Sequence, residues 1–311
     1  MNQLTEIQAL LQELADCRAR LNLLPYDGSP EIKNNGSKKY LYVHKRIGSR
    51  VVSTYVGIYS DELYQLLVRS AKEGRELRRQ VRRLSRKLAD LGYTESVLAP
   101  KVIENLDFAR ANMKANIYDQ AVLEGVATSF PQTEEILDNG RVSGMTVSDI
   151  QKILNLKHAW EFILDENVIR AESDYYLLSH IAKLVNEGFF AEGGRIRGVP
   201  VTIGGTSYVP PIPLEYKVKE EIEGILKKSS SDLDKAIELL LYCMKTQIFL
   251  DGNKRAAVIY ANHYLIARGK GCLVIPEKLV PEFKDLLIEY YEGRSVGKIK
   301  AFLKKECLRK F

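Results

Sequence analysis

The chain has no hydrophobic run long enough to cross a bilayer, and its polar, amphipathic start lacks the apolar core of a signal peptide. Those absences predict a cytoplasmic protein without a membrane partner. Cysteine is scarce: Cys17, Cys243, Cys272 and Cys307 are scattered, and no two stand at Cys-x-x-Cys spacing. The pattern argues against a zinc ribbon or a disulfide framework and predicts free thiols in a reducing compartment. His180 has no second histidine or cysteine at ligand spacing, so it reads as a packed or helix-surface residue. Compositional extremes are missing too. With 45% hydrophobic and 28% charged residues, the 311-residue chain is an ordinary globular sequence, long enough for two domains. A net charge of +6 permits an acidic or phosphate-bearing partner without demanding one.

What is present begins with an amphipathic helix carrying Leu4, Ile7, Leu10, Leu11, Leu14 and Leu21 at helical spacing. Pro25, Asp27, Gly28, Ser29 and Pro30 end it. Tyr40–Val43 and Val51–Val56 are strand formers, and Gly48-Ser49 between them predicts a hairpin turn. A long helix follows over Asp61 to Leu91, with Gly74 as its weak point. Leu77, Val81, Leu84, Leu88 and Leu91 form a seam, surrounded by Arg75, Arg78, Arg79, Arg82, Arg83, Arg86 and Lys87. The basic face is read mainly as the solvated side of a helical hairpin, with a nucleic-acid surface as the alternative. Residues 1–95 thus form an accessory module of unknown role, with Gly92 to Pro100 as the boundary and 96–311 as the second domain.

That second domain is organised around Gln247-Ile248-Phe249-Leu250-Asp251-Gly252-Asn253-Lys254-Arg255. The stretch joins two apolar helical runs, so an acidic residue, a glycine, an amide and two cations share a tight loop at a helix start. Such a helix start suits a phosphate chain, because its N–H groups and dipole both favour an anion. Gly252 permits close backbone approach, Lys254 and Arg255 can neutralise phosphate oxygens, and Asp251 offers a hard oxygen ligand to Mg²⁺.

The string also resembles the signature of the Fic/Doc family, His-x-Phe-x-Asp/Glu-Gly-Asn-Gly/Lys-Arg. Phe249, Asp251, Gly252, Asn253, Lys254 and Arg255 match it; Gln247 stands in place of the histidine, and Val258 in place of a second arginine found in many relatives. Residues about 115–128, with Gln120 and Glu124-Gly125, resemble the family's inhibitory helix, followed by a helix start at Thr133-Glu134-Glu135-Ile136. Asn155 and Ala159 fit a core helix of the family. Gly193 to Pro211 holds two strand-forming runs about Gly204-Gly205 and predicts a hairpin. It resembles the family's flap, on which Val201, Thr202 and Ile203 would align a target segment by strand addition.

The resemblance implies a mainly α Fic/Fido-type helical domain with a small β-hairpin flap, joined to an N-terminal helical module containing a β-hairpin. It also implies Mg²⁺-dependent transfer of AMP or another phosphate group from ATP to a protein hydroxyl. In that scheme Asp251 holds the metal, Gly252, Asn253, Lys254 and Arg255 bind phosphate, and Glu124 inhibits. Gln247 occupies the position of the general base but has no protonation equilibrium near neutrality. The expectation is therefore a nucleotide-binding Fic-type protein with weak or absent transfer. The alternatives are an active transferase of AMP or phosphate, and a nucleic-acid-binding regulator acting through the basic helix. The nucleotide, target protein, oligomeric state and any antitoxin-like partner stay open.

Overall fold

A computed structural model describes residues 3–24, 26, 28–36, 38–47, 50–93, 98–139, 144–294 and 296–310. The chain divides into two compact units, Met1–Glu95 and Ser96–Phe311.

In the first unit, α1 (Gln3–Leu23) leads to three strands, β1 (Ser29–Asn35), β2 (Lys38–Ile47) and β3 (Arg50–Ile58), and then to α2 (Asp61–Asp90). Ser60 caps α2 by accepting a bond from the Leu63 N–H at 3.2 Å. Leu77, Leu84 and Leu88 of the seam bury against Leu14 and Cys17 of α1. Gly74 lies buried within α2 and does not break it. Leu41, Val43 and Val56 turn one sheet face onto Leu67.

The sequence predicts a two-stranded hairpin, whereas the sheet is antiparallel β1-β2-β3. Strand β1 escapes the sequence pattern because it is an edge. Almost all of it is exposed, including Ile32, so it shows no alternation of apolar and polar residues. Pro30, taken as part of the helix stop, pairs with Val43 within β1, on an edge strand where proline is tolerated. The expected turn at Gly48-Ser49 lies outside the described residues, as do Pro25 and Asp27.

The second unit is almost wholly helical. Its helices are α3 (Pro100–Ala111), α4 (Met113–Leu123), α5 (Phe130–Asn139), α6 (Val147–Ile163), α7 (Glu166–Ile169), α8 (Tyr175–Val185), α9 (Glu215–Lys227), α10 (Asp232–Thr246), α11 (Asn253–Ile266), α12 (Val280–Tyr291) and α13 (Val296–Phe302). A two-stranded ribbon, β4 (Cys272–Leu273) with β5 (Leu308–Arg309), closes it. Helix α11 is the hub, packed on α3, α6, α8, α10 and β4. Its sequence is mostly apolar beyond the first turn, and every residue from Arg255 to Ile266 is buried. Two polar residues on it are fully satisfied. Asn262 exchanges bonds of 2.8 Å with both backbone groups of Leu273, and His263 contacts Ser173 Oγ at 2.9 Å and Val168 O at 2.8 Å. All four cysteines are free and buried. No described helix is long and apolar enough to cross a membrane.

Three local expectations shift. Helix α5 starts at Phe130, with Ser129 accepting from the Gln132 N–H, so Thr133 is a buried interior residue and not the helix start. The apolar spacing of Leu177, Leu178, Ile181, Leu184 and Val185 predicts a helix over Tyr175 to Phe190, but α8 stops at Val185, because Asn186 caps it and Gly188 turns the chain with a φ of +81°. The third is the flap. Gly204-Gly205 does form a turn, with Gly205 at φ +84°, but the arms carry no ladder. Its one bridge pairs Ile196 with Phe249 outside the flap. Pro200, Pro210 and Pro211 lack donors, and the segment is anchored sideways instead. Tyr208 stacks on Tyr291 with centroids 6.2 Å apart, and Thr206 Oγ1 donates to Glu292 at 3.1 Å.

Candidate phosphate-binding site

The site lies where α10 ends and α11 begins. Helix α10 is capped at its start by Ser231, which accepts from the Asp234 N–H at 3.1 Å. Its end is Gln247, the only non-glycine residue with positive φ among those described, at φ 49° and ψ 61°. Glycine or asparagine usually takes this left-handed cap, so the backbone here carries strain. The surroundings hold it. The Gln247 N–H donates to Cys243 O at 3.2 Å, while Arg197 Nε donates to Gln247 O at 2.6 Å. Its side-chain amide is also engaged: Nε2 donates to Met244 O at 2.6 Å and Oε1 accepts from Asn253 Nδ2 at 3.2 Å.

Asn253 ties the loop to the helix. Its Oδ1 accepts from the Phe249 N–H at 2.9 Å and its Nδ2 donates to Phe249 O at 2.7 Å. Phe249 itself is core. Gly252, at φ +72°, begins α11, and a side chain there would meet Asn186 at 2.8 Å. No side chain caps α11, so its first N–H groups are left to an external acceptor.

The charged residues divide by depth. Arg255 is 1% exposed, with Nη1 donating to Val185 O at 2.6 Å and Nη2 to Asp251 Oδ2 at 3.0 Å. Its guanidinium is thus committed beneath the loop, where Asn186 Oδ1 also approaches at 3.4 Å. Asp251 is 51% exposed and is oriented from below by that contact. Lys254 stands at the surface of the first turn of α11. Glu124, the C-cap of α4, approaches Lys254 Nζ at 3.8 Å and Arg255 Nε at 3.6 Å. Neither Glu124 Oε1 nor Arg255 Nε makes a hydrogen bond. Gln120, one turn earlier, donates to Arg255 O at 2.8 Å and accepts from Trp160 at 3.0 Å, fixing α4 against the motif helix. Val258 is buried.

Two residues at the site carried no expectation of a role. Asn186 donates to Asp251 O at 2.9 Å and to Gly193 O at 3.1 Å, joining the loop to the start of the flap. Nothing in a single sequence distinguishes it from any polar residue at a helix end. Arg197, 3% exposed, bonds the carbonyls of Gln247, Val199, Pro210, Pro211 and Thr246. Burial lowers its pKa. This arginine falls within the flap-like stretch Gly193 to Pro211, yet its place as the flap's internal anchor needs the fold. Between flap and loop opens a cleft of about 560 Å³ lined by Asn186, Phe190, Arg197, Leu250 and Asp251 among others. Val201, Thr202 and Ile203 stand on the flap arm, Thr202 exposed and its neighbours half-buried.

No group of three or more histidine, cysteine or acidic side chains able to hold a metal occurs among the described residues. Within the loop the carboxylate available to a metal is Asp251, whose Oδ2 accepts from Arg255 at 3.0 Å. That donor set fits Mg²⁺, which binds through one or two carboxylates with phosphate and water completing its shell.

The fold and loop define a helical domain built around a helix start that no side chain caps. Comparison with known proteins identifies it: residues 172–265 match the Fic/DOC family, and the chain carries a domain of that family. Residues 4–65 match a domain of unknown function, DUF6788. Comparison with curated proteins gives no match. Among solved structures the chain is similar to Fic-1 (aa134–508) from C. elegans, with 19% identity, 79% of this chain and 73% of that one covered, and a TM-score of 0.53. It is similar also to a Fic domain containing signaling protein from Bacteroides thetaiotaomicron, with 16% identity, 67% and 85% covered, and a TM-score of 0.52. A Fic family protein from Desulfovibrio desulfuricans G20 gives 16% identity, 68% and 74% covered, and a TM-score of 0.52. These likenesses establish the mainly helical Fic fold.

Proposed function

We propose that the second unit is a Fic-type ATP–Mg²⁺-binding domain whose capacity to transfer AMP or phosphate to a protein hydroxyl is weak or absent. The observation that carries this is the state of Gln247. At the position of the family's base stands an amide that cannot exchange a proton near neutrality, and both its ends are bonded to Met244 and Asn253. The binding half of the machinery is intact by contrast. The uncapped start of α11 and Gly252 would take the phosphates, with Lys254 as the surface cation. Arg255 would contribute its charge from below and hold Asp251 in place for the metal. Bound Mg²⁺ would offset the charge of the phosphate chain. Glu124 borders the same cations and would compete with an anion for them.

Calorimetry with ATP, with and without Mg²⁺, tests the proposal beside a transfer assay. Binding that requires Mg²⁺ and Asp251, with little label transferred, is the expected outcome. Absence of ATP binding, or efficient transfer by the native protein, refutes it.

A further inference from the structure

The first unit holds all of the protein's net charge. Residues 1–95 contain 17 lysines and arginines against 11 acidic residues, whereas 96–311 balance 29 against 29. The excess is placed in an ordered way. Along α2, the buried leucines Leu77, Leu84 and Leu88 face α1. At 100° per residue, Arg75, Arg79, Arg82 and Arg86 fall in a row on the opposite side. All four are exposed, so the helix packing explains the leucines and leaves the arginines unexplained. Among the described residues Arg75, Arg82 and Arg86 have no ion-pair partner, and Arg79 has only a solvent-exposed pairing with Glu76 at 3.6 Å.

The row spans roughly 16 Å along the helix, with successive Cβ atoms about 5 to 6 Å apart, a length over which a nucleic-acid strand presents about five phosphates at about 3.4 Å each along its axis. At its N-terminal end it opens into a cleft of about 440 Å³. Arg75 and Arg78 of α2 line it with His44 and Lys45 of β2, and its described lining residues include no carboxylate. Glu31 pairs with His44 at its edge.

We infer that the first unit is a nucleic-acid-binding module that grips the phosphate backbone through the Arg75–Arg79–Arg82–Arg86 row and the cleft at its end. A flexible acidic protein would not need evenly spaced cations along a rigid helix; a phosphate backbone does. The site is distinct from the phosphate-binding loop of the second unit and does not depend on it.

The test uses the full chain and a fluorescein-labelled duplex of about 30 base pairs, with a single strand of the same length and polyglutamate beside it. Anisotropy at rising salt should give a log–log slope of roughly −4 for the duplex, a weakening on the order of 100-fold between about 50 and 200 mM salt. The quadruple variant R75Q/R79Q/R82Q/R86Q keeps helix-compatible side chains. With an unchanged melting temperature, it should lose roughly 4 from the slope and most of the low-salt affinity. A single strand bound more tightly than the duplex still supports the site and identifies its natural form. No binding at low salt, binding unaltered by the quadruple change, or polyglutamate bound as tightly as nucleic acid would each overturn the inference, the last pointing to an acidic protein instead.

Discussion

Replacing Gln247 by histidine isolates the proton acceptor from everything else at the site. Histidine tolerates the left-handed backbone about as well as glutamine does, so the strain at φ 49° changes little. The cost lies in the 2.6 Å bond from Nε2 to Met244 O, whose loss is worth about 0.5 to 1.5 kcal/mol. Asn253 is not orphaned, because its Nδ2 keeps Phe249 O at 2.7 Å. Melting should therefore fall by about 1 to 6 °C. The glutamine amide points to Met244 and Asn253, so ATP–Mg²⁺ affinity should be unchanged within about twofold. Transfer should rise by about 10² to 10⁴, the usual contribution of a general base. ATP labelled at the α- or γ-phosphate, incubated with the protein and a mixed-protein substrate, reads both the rate and the group transferred. Asp251→Ala added to Gln247→His should abolish the gain. No gain from histidine while ATP still binds would show that the deficit lies elsewhere than in the base.

Three further outcomes are expected. Glu124→Gly should change ATP affinity by less than about tenfold, since its contacts to Lys254 and Arg255 are 3.8 and 3.6 Å long and lack hydrogen bonds; activation beyond 100-fold on titration and labelling would show a stronger lock. Arg197→Met should cost about 3 kcal/mol in urea unfolding and open residues 199–211 to protease, because five carbonyls lose their donor at once; an unchanged midpoint would remove Arg197 as the flap's anchor. Burial lowers the His263 pKa from 6.5 to about 4, so the unfolded chain binds the proton first as pH falls. That stability is full above about pH 6.5 and declines by about 3 kcal/mol towards pH 4; His263→Gln should flatten the decline, and a native protein whose urea midpoint ignores this window would contradict the assignment.

How much was legible in the sequence follows from where the information sits. The apolar period of α10 and its Ser231 cap are both local signals that the sequence carries by itself. The loop from Gln247 to Arg255 was readable as a helix start for the same reason. Strand β1 was not, because an edge strand with both faces exposed has no hydrophobic signature. The flap's missing ladder was equally hidden: its turn is where glycines predict it, but tertiary anchors at Arg197, Tyr208 and Thr206 take the place of strand pairing. Asn186 gave no local signal because it acts only on residues distant in sequence, Asp251 and Arg255.

Depth also decides what each matching residue of the motif can say about chemistry. Phe249 and Asn253 are buried and bonded within the loop, and Arg255 carries the carbonyl of Val185 and the carboxylate of Asp251. Removing the Arg255 side chain would empty a buried position and take from the Val185 carbonyl its 2.6 Å donor, a loss of about 1 to 3 kcal/mol. The fold alone therefore demands these residues, whether or not a nucleotide is ever bound. Asp251 and Lys254 are different. Both reach solvent, and neither is needed to fill the core. An acidic residue half exposed beside a cation at an uncapped helix start gains little stability from its position, since exposed pairs contribute at most about 1 kcal/mol. Their presence beside a replaced base is what a domain kept for binding an anion and a metal, and released from proton abstraction, would retain.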